Sequence, residues 1–140
     1  MTVKLSKELK EKKMKNPSDM YSIIQGVLLK KSRISRDKEH LWLMLLDNSM
    51  KIKHLELIGI GTINDVSTSP LEIFSVALYR RAVKLVLIHN HPSNELLPSK
   101  SDMQLTYQLL KVGVFIEIPV IDHLIIGTNG YYSFADNGLL

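Results

Sequence analysis

Two histidines two positions apart, His89 and His91, stand at the end of the apolar run Leu85-Val86-Leu87-Ile88. Side chains at i and i+2 project from one face of a β-strand. Both imidazoles can therefore converge on one ion while Asn90 points the other way. Asp102 follows eleven positions after His91, in the first turn of a helix opened by Ser99-x-x-Asp102. A strand–loop–helix unit can return that helix start over the strand end, a common ligand location in α/β folds. Two imidazoles and one carboxylate with an open fourth position make the donor set of a catalytic zinc site. Zinc lowers the pKa of its bound water to about 7, which supplies hydroxide at neutral pH. The competing reading is that Asp102 only closes a capping box with Ser99 and the histidines are surface polar residues.

The chain has no cysteine, so a disulfide framework and thiolate metal sites are excluded and any metal must rest on His, Asp or Glu. Its 140 residues, 45% of them hydrophobic, suit one compact domain that buries a core without staples. The start, MTVKLSKELKEKKMK, has no apolar h-region, and runs such as Leu41–Leu46 are too short to span a bilayer. A cytoplasmic chain without membrane association is expected. The net charge of +4 is unevenly spread: residues 1–38 hold 11 Lys/Arg and 4 Asp/Glu, whereas residues 39–140 hold 7 and 10. Residues 1–16 read as a basic tail or marginal helix, and residues 17–140 as the folded domain. The basic segment is either a contact for phosphates, as in nucleic acid, or another acidic partner, or else a solvated terminus. Aromatic residues are few and none is interleaved with the basic run, which weakens a single-strand stacking site.

The elements that must position these groups follow from periodicity. After Asn16-Pro17-Ser18, the stripe Met20, Ile23, Ile24, Val27, Leu28 predicts a helix. Leu41–Leu46 predicts a buried strand, Asp47-Asn48-Ser49 a turn, and Lys51–Ile60 a second strand in a hairpin with the first. Ser69-Pro70-Leu71-Glu72 combines a cap, an N1 proline and a capping box, so a helix should run to about Arg81. Lys84–His89 is a strand, and the helix after Ser99 should stop with Gly113 at C′. Val114–Ile118, Val120–Ile126 and Tyr131–Phe134 are expected as strands, the last two joined by a turn at Asn129-Gly130. The sum is a mixed α/β domain on a single sheet flanked by helices.

His89-Asn90-His91-Pro92, six residues, Ser99, two residues and Asp102 resemble the JAMM (MPN+) signature, H-x-H-P-x6-S-x-x-D, which fixes five of 14 positions. Gly61-Thr62-Ile63-Asn64 and Asp122-His123-Leu124-Ile125-Ile126-Gly127 are similar to the RadC branch in particular. The resemblance covers roughly residues 36–140 and lacks a counterpart of the helix-hairpin-helix region of longer RadC proteins. It implies an MPN-like, cytidine-deaminase-like fold and a zinc-dependent hydrolase with one zinc per chain held by His89, His91 and Asp102. It also implies an amide or isopeptide bond in a peptide substrate, and it carries the RadC branch's link to DNA repair. Ser99 would stabilise the oxyanion of a tetrahedral intermediate, a role set against its capping role on the same side chain. Two departures stand out: Asn94 replaces the Gly after His-Pro-Ser, and Ser69-Pro70-Leu71-Glu72 replaces His-Pro-Arg-Glu. Asn tolerates left-handed backbone angles, so the loop can keep its shape.

The signature also requires an upstream glutamate as general base. Glu39, just before Leu41–Leu46 and fifty residues before His89, occupies that place. Glu72 is accounted for by its capping box, and Glu56 by an alternating strand that turns it to solvent. Asp122-His123 reads as one inward and one outward side chain, with a role beside the ligands as the weaker alternative. His40 and His54 have no partner pattern and read as structural. Two further functional classes stay open: a nucleic-acid-associated module, and an interaction domain with an incidental metal.

Overall fold

The computed structural model describes residues 1–61 and 68–140. Thr62, Ile63 and Asn64, part of one RadC-like stretch, lie outside the described residues.

The elements in chain order are β1 (Thr2–Val3), α1 (Lys7–Glu11), α2 (Pro17–Leu29), α3 (Arg33–Arg36), β2 (His40–Leu46), β3 (Ile52–Ile60), α4 (Pro70–Tyr79), β4 (Lys84–Asn90), α5 (Lys100–Phe115), β5 (Val120–Gly127) and β6 (Gly130–Ser133). The strands form one six-stranded sheet in the order β1-β3-β2-β4-β5-β6. Among the described strands only β4 and β5 run parallel, because α5 makes the crossover between them. The mixed single sheet expected from the sequence is therefore observed.

Both faces of the sheet are covered, which is why β2 and β4 read as unbroken apolar runs. On one face Trp42, Met44, Val86 and Ile88 pack against Met20, Ile23 and Ile24 of α2. On the other face Leu43, Leu45, Leu85 and Leu87 pack against Ile73, Phe74 and Ala77 of α4 and Leu109 of α5. The helix starts follow their sequence signals. Asn16 and Ser69 accept the expected backbone N–H groups, and Pro17 and Pro70 lead their helices. The Glu72 side chain, however, accepts from the Thr68 hydroxyl at 3.1 Å and does not complete a reciprocal box.

Three expectations need correction. First, of the two readings of residues 1–16, the short helix α1 agrees with a marginal helix, but the segment is no free tail: β1 pairs with β3 and Met14 is buried in the core. Second, Glu56 is buried, not solvent-facing. Its carboxylate accepts from Arg80 Nε at 2.9 Å and from the Thr2 hydroxyl, contacts made only when β1 and α4 pack on β3. Third, Val114–Ile118 is no strand. α5 continues to Phe115, with Val114 and Phe115 largely exposed at its end.

The C′ residue of α5 is Glu117, in the left-handed region at φ 62°, and Gly113 lies one turn earlier. The Ile118 N–H bonds the Gly113 carbonyl at 3.0 Å and the Glu117 N–H bonds Val114 at 3.4 Å, a Schellman pattern. Gly113 is needed for closeness instead: a Cβ there would lie 2.7 Å from the Ile118 carbonyl oxygen. Gly113→Ala gains about 1 kcal/mol of helix propensity but forces backbone apart at a cost of about 1–3 kcal/mol. The expected result is a lower urea midpoint; a higher midpoint would show that the helix end relaxes freely.

Candidate metal centre

The topology explains how residues fifty positions apart meet. β2 is antiparallel to β4, with Leu41 paired to His89, so the residue just before β2 stands beside the C-terminal end of β4. That residue is Glu39, which is buried. Parallel β4–β5 pairing requires a crossover, and α5 starts it above the same strand end, bringing Asp102 in.

The Nε2 atoms of His89 and His91 are 2.9 Å apart. Asp102 faces both: Oδ1 lies 3.2 Å from His89 Nε2 and Oδ2 lies 3.3 Å from His91 Nε2. Glu39 Oε1 stands further off, at 4.0 Å and 3.6 Å from the same two nitrogens. Glu39, His89 and His91 offer ligand atoms all within 4.8 Å of one another. All four residues named from the sequence thus surround one point. Ser99 lines the same cleft, of about 430 Å³, with Glu39, His91 and Asp102.

The donor set suits a divalent cation. His91 Nδ1 donates to the Glu95 carbonyl at 2.6 Å, which can only accept, so in the neutral ring the lone pair is on Nε2. Two lone-pair nitrogens at 2.9 Å repel unless a cation or proton lies between them, and two carboxylates would balance a charge of +2. Ligands of a tetrahedral zinc at ~2.0–2.1 Å are ~3.3 Å apart. The Asp102 oxygens match that spacing, whereas Glu39 stands outside it. Without metal a proton is the cation that competes for these nitrogens. Burial disfavours charge on His91, but its hydrogen bond to Asp102, its bond to the Glu95 carbonyl and the charges of Asp102 and Glu39 raise its pKa above the ordinary value. Asp102 is opposed by burial, yet its bonds from His89 and His91 hold it well below the usual carboxylate range.

Asp102 and Ser99 each do two things. The Ser99 N–H donates to Asp102 Oδ2 at 2.8 Å and the Asp102 N–H donates to Ser99 Oγ at 3.1 Å, so the capping box is present. The same Asp102 oxygens face the imidazoles, and the capping and ligand readings are compatible. For Ser99 the cap consumes a lone pair, while the hydroxyl hydrogen is directed elsewhere; Ser101 Oγ is 3.1 Å away.

Two residues next to the centre were not picked out from the sequence. His123, set aside as half of an in-and-out pair, is buried, and so is Asp122, because helices cover both faces of the sheet. His123 Nε2 lies 2.8 Å from His89 Nδ1, and its own Nδ1 meets the Thr106 hydroxyl on α5. Burial, followed by the charge of His89, keeps the His123 pKa well below the ordinary value, so the ring is neutral. A proton on His89 Nδ1 shared with His123 Nε2 leaves His89 Nε2 free to bind a metal. Strand pairing places it there: His123 is opposite Leu87, two residues below His89. His123→Ala is expected to weaken zinc affinity about 10–100-fold, with Gln restoring part of it through its acceptor oxygen. Unchanged affinity by competition with a zinc chelator would remove His123 from the centre.

The second is Asn90. Its Oδ1 accepts from His40 N–H at 2.7 Å and its Nδ2 donates to the Lys38 carbonyl at 3.1 Å. It clamps the backbone on both sides of Glu39. Asn94 has φ 64°, the left-handed geometry anticipated for it, and its Oδ1 accepts from Thr128 N–H at 2.8 Å, tying the loop after His91 to the β5–β6 turn.

The family model for the RadC-like JAB domain matches residues 14–139. The chain belongs to the RadC-like JAB domain family. A UPF0758 protein of Desulforudis audaxviator is 40% identical over 103 residues, 74% of this chain and 45% of that relative. A UPF0758 protein of Desulforamulus reducens is 41% identical over 104 residues, 74% of this chain and 46% of the relative. One from Chlorobaculum tepidum is 36% identical over 128 residues, 91% and 55%. The chain thus spans about half the length of the curated relatives it matches. No helix among the described residues is long and apolar enough to cross a membrane.

Proposed function

We propose that this JAB domain is a zinc hydrolase of amide or isopeptide bonds, with His89, His91 and Asp102 as ligands. The observation that carries the reading is the convergence of two imidazole Nε2 atoms and one carboxylate at 2.9–3.3 Å, with a second buried carboxylate 3.6–4.0 Å from the same nitrogens. Zinc held there supplies a Lewis acid that polarises an amide carbonyl and acidifies water.

The chain's own residues supply the rest. Glu39 takes a proton from the attacking water and delivers it to the departing amine, so that amide and water become carboxylate and amine. Asn90 holds the Glu39 backbone in place for both transfers. Ser99, capping α5 through a lone pair, directs its hydroxyl hydrogen toward the oxygen that gains charge. His123 orients His89.

Metal content of protein purified without added metal tests the reading, beside the His91→Ala/Asp102→Ala double variant. About one zinc per chain, lost in the variant, supports it. A folded protein unable to take up zinc would overturn it.

A further inference from the structure

A second cleft, also of about 430 Å³, adjoins the metal centre and shares His91 and Pro92 with the first. That size is within the range of ligand sites. Its far wall is α3 and the end of α2, including Arg33, Arg36 and Gln25. Two polar atoms of these residues are buried without a hydrogen-bond partner: Arg36 Nε, a donor, and Gln25 Oε1, an acceptor. Leaving such atoms unpaired is costly, so both side chains gain by turning toward a partner held in the cleft. Among the described residues neither arginine has an ion pair, although Asp37 lines the same cleft. Lys30, Lys31, Arg33, Arg36 and Lys38 crowd this stretch against Asp37 alone, so much of the basic charge of the N-terminal region lies here. Its field reaches His40, whose pKa is lowered by burial, against the opposing bond to the Lys38 carbonyl, with the charges of Lys31 and Lys38 adding to the lowering.

We propose that this cleft binds an acidic peptide segment of the substrate, adjacent to the bond presented to the metal centre. The inference rests on the amide-hydrolase reading and adds the substrate's chemistry to it. A carboxylate meets the guanidinium groups of Arg33 and Arg36, planar donors suited to paired oxygens. A peptide N–H meets Gln25 Oε1 once that side chain turns toward the cleft, and the apolar side chains of Leu28 and Leu29 offer a surface for a neighbouring aliphatic residue. A nucleic-acid backbone fits less well. Phosphates only accept, so Gln25 Oε1 stays unpaired, and among the described residues no Phe, Tyr or Trp lines the cleft for stacking.

The test is fluorescence anisotropy with zinc-loaded full chain and a short labelled peptide alternating Glu and Leu. A Lys-Leu peptide and a thymidine oligonucleotide of equal length serve as comparisons. The Glu-Leu peptide should bind preferentially, and Arg33→Ala/Arg36→Ala should weaken it about tenfold or more while zinc content stays unchanged. Arg33→Lys/Arg36→Lys, which keeps the charge but not the paired donors, should recover only part. Absent binding, equal binding of the Lys-Leu peptide, or an unaffected double variant would overturn the proposal. Preferential, arginine-dependent binding of the oligonucleotide would replace it with a phosphate site. Zinc content measured on the same samples separates the two layers. Peptide binding without zinc uptake would sink the hydrolase reading alone, whereas zinc uptake without peptide binding would sink the cleft alone.

Discussion

Glu39→Gln should leave zinc bound while slowing amide hydrolysis by about 10²–10⁴-fold, the usual contribution of a positioned general base. Gln keeps the volume and a carbonyl oxygen, so the buried site is not emptied. It cannot accept a proton, so neither transfer proceeds. Geometry makes the variant informative: Glu39 Oε1 is 3.6 Å and 4.0 Å from the imidazole nitrogens, while Asp102 is at 3.2 Å and 3.3 Å. If Glu39 were a ligand in place of Asp102, the variant would lose zinc affinity along with activity. Metal analysis and turnover of a cleavable peptide, measured on one preparation, distinguish these cases. Full activity with zinc retained would assign the base to another group.

The second large effect is a pH-dependent gain in stability from zinc. A metal that binds only the folded chain stabilises it by about 4 kcal/mol at a thousandfold excess over its Kd. His91 must be neutral to accept it. In the metal-free protein the folded pKa of His91 is raised above 6.5, after burial is outweighed by Asp102, the Glu95 carbonyl and Glu39. The stability contributed by its charged form is therefore fully present below the unfolded pKa of about 6.5 and is lost as pH rises through the higher folded value. Zinc acts in the opposite direction, competing better as that proton leaves. As pH rises from about 6.5 through the raised folded value, the melting temperature of chelator-treated protein should lose this contribution, while the increment on adding zinc should grow. Asp102→Asn, which keeps an oxygen for the Ser99 N–H, should abolish the increment without removing the cap. An increment that shrinks with rising pH would rule out His91 as the competing proton site.

Much of the centre is readable along one dimension. His89, His91, Ser99 and Asp102 fall within a single strand–loop–helix unit, so the alternation of strand side chains and the capping spacing suffice to bring them together. The helix starts at Pro17 and Pro70 are equally local, because caps and N1 prolines act within four residues. The places where local reading failed involve contacts between distant segments. Val114-Phe115-Ile116 has the composition of a strand, but Gly113 and Ile118 close a helix end whose left-handed residue is Glu117. Glu56 alternates like a solvent-facing residue, yet Arg80 and Thr2 arrive to bury it.

By itself, then, the amino-acid sequence determined the donor types, their shared strand face, the exclusion of thiolate chemistry and the order of most helices and strands. These properties depend on side-chain chemistry and on periods of two or 3.6 residues. Only the tertiary structure decided how Asn90 grips the chain around Glu39, that His123 supports His89 from the neighbouring strand, and that Arg33 and Arg36 wall a cleft beside the centre. Each of these depends on which strands pair and which helix covers which face, and such choices are made by burial of the whole core, with no signature in the residues on either side.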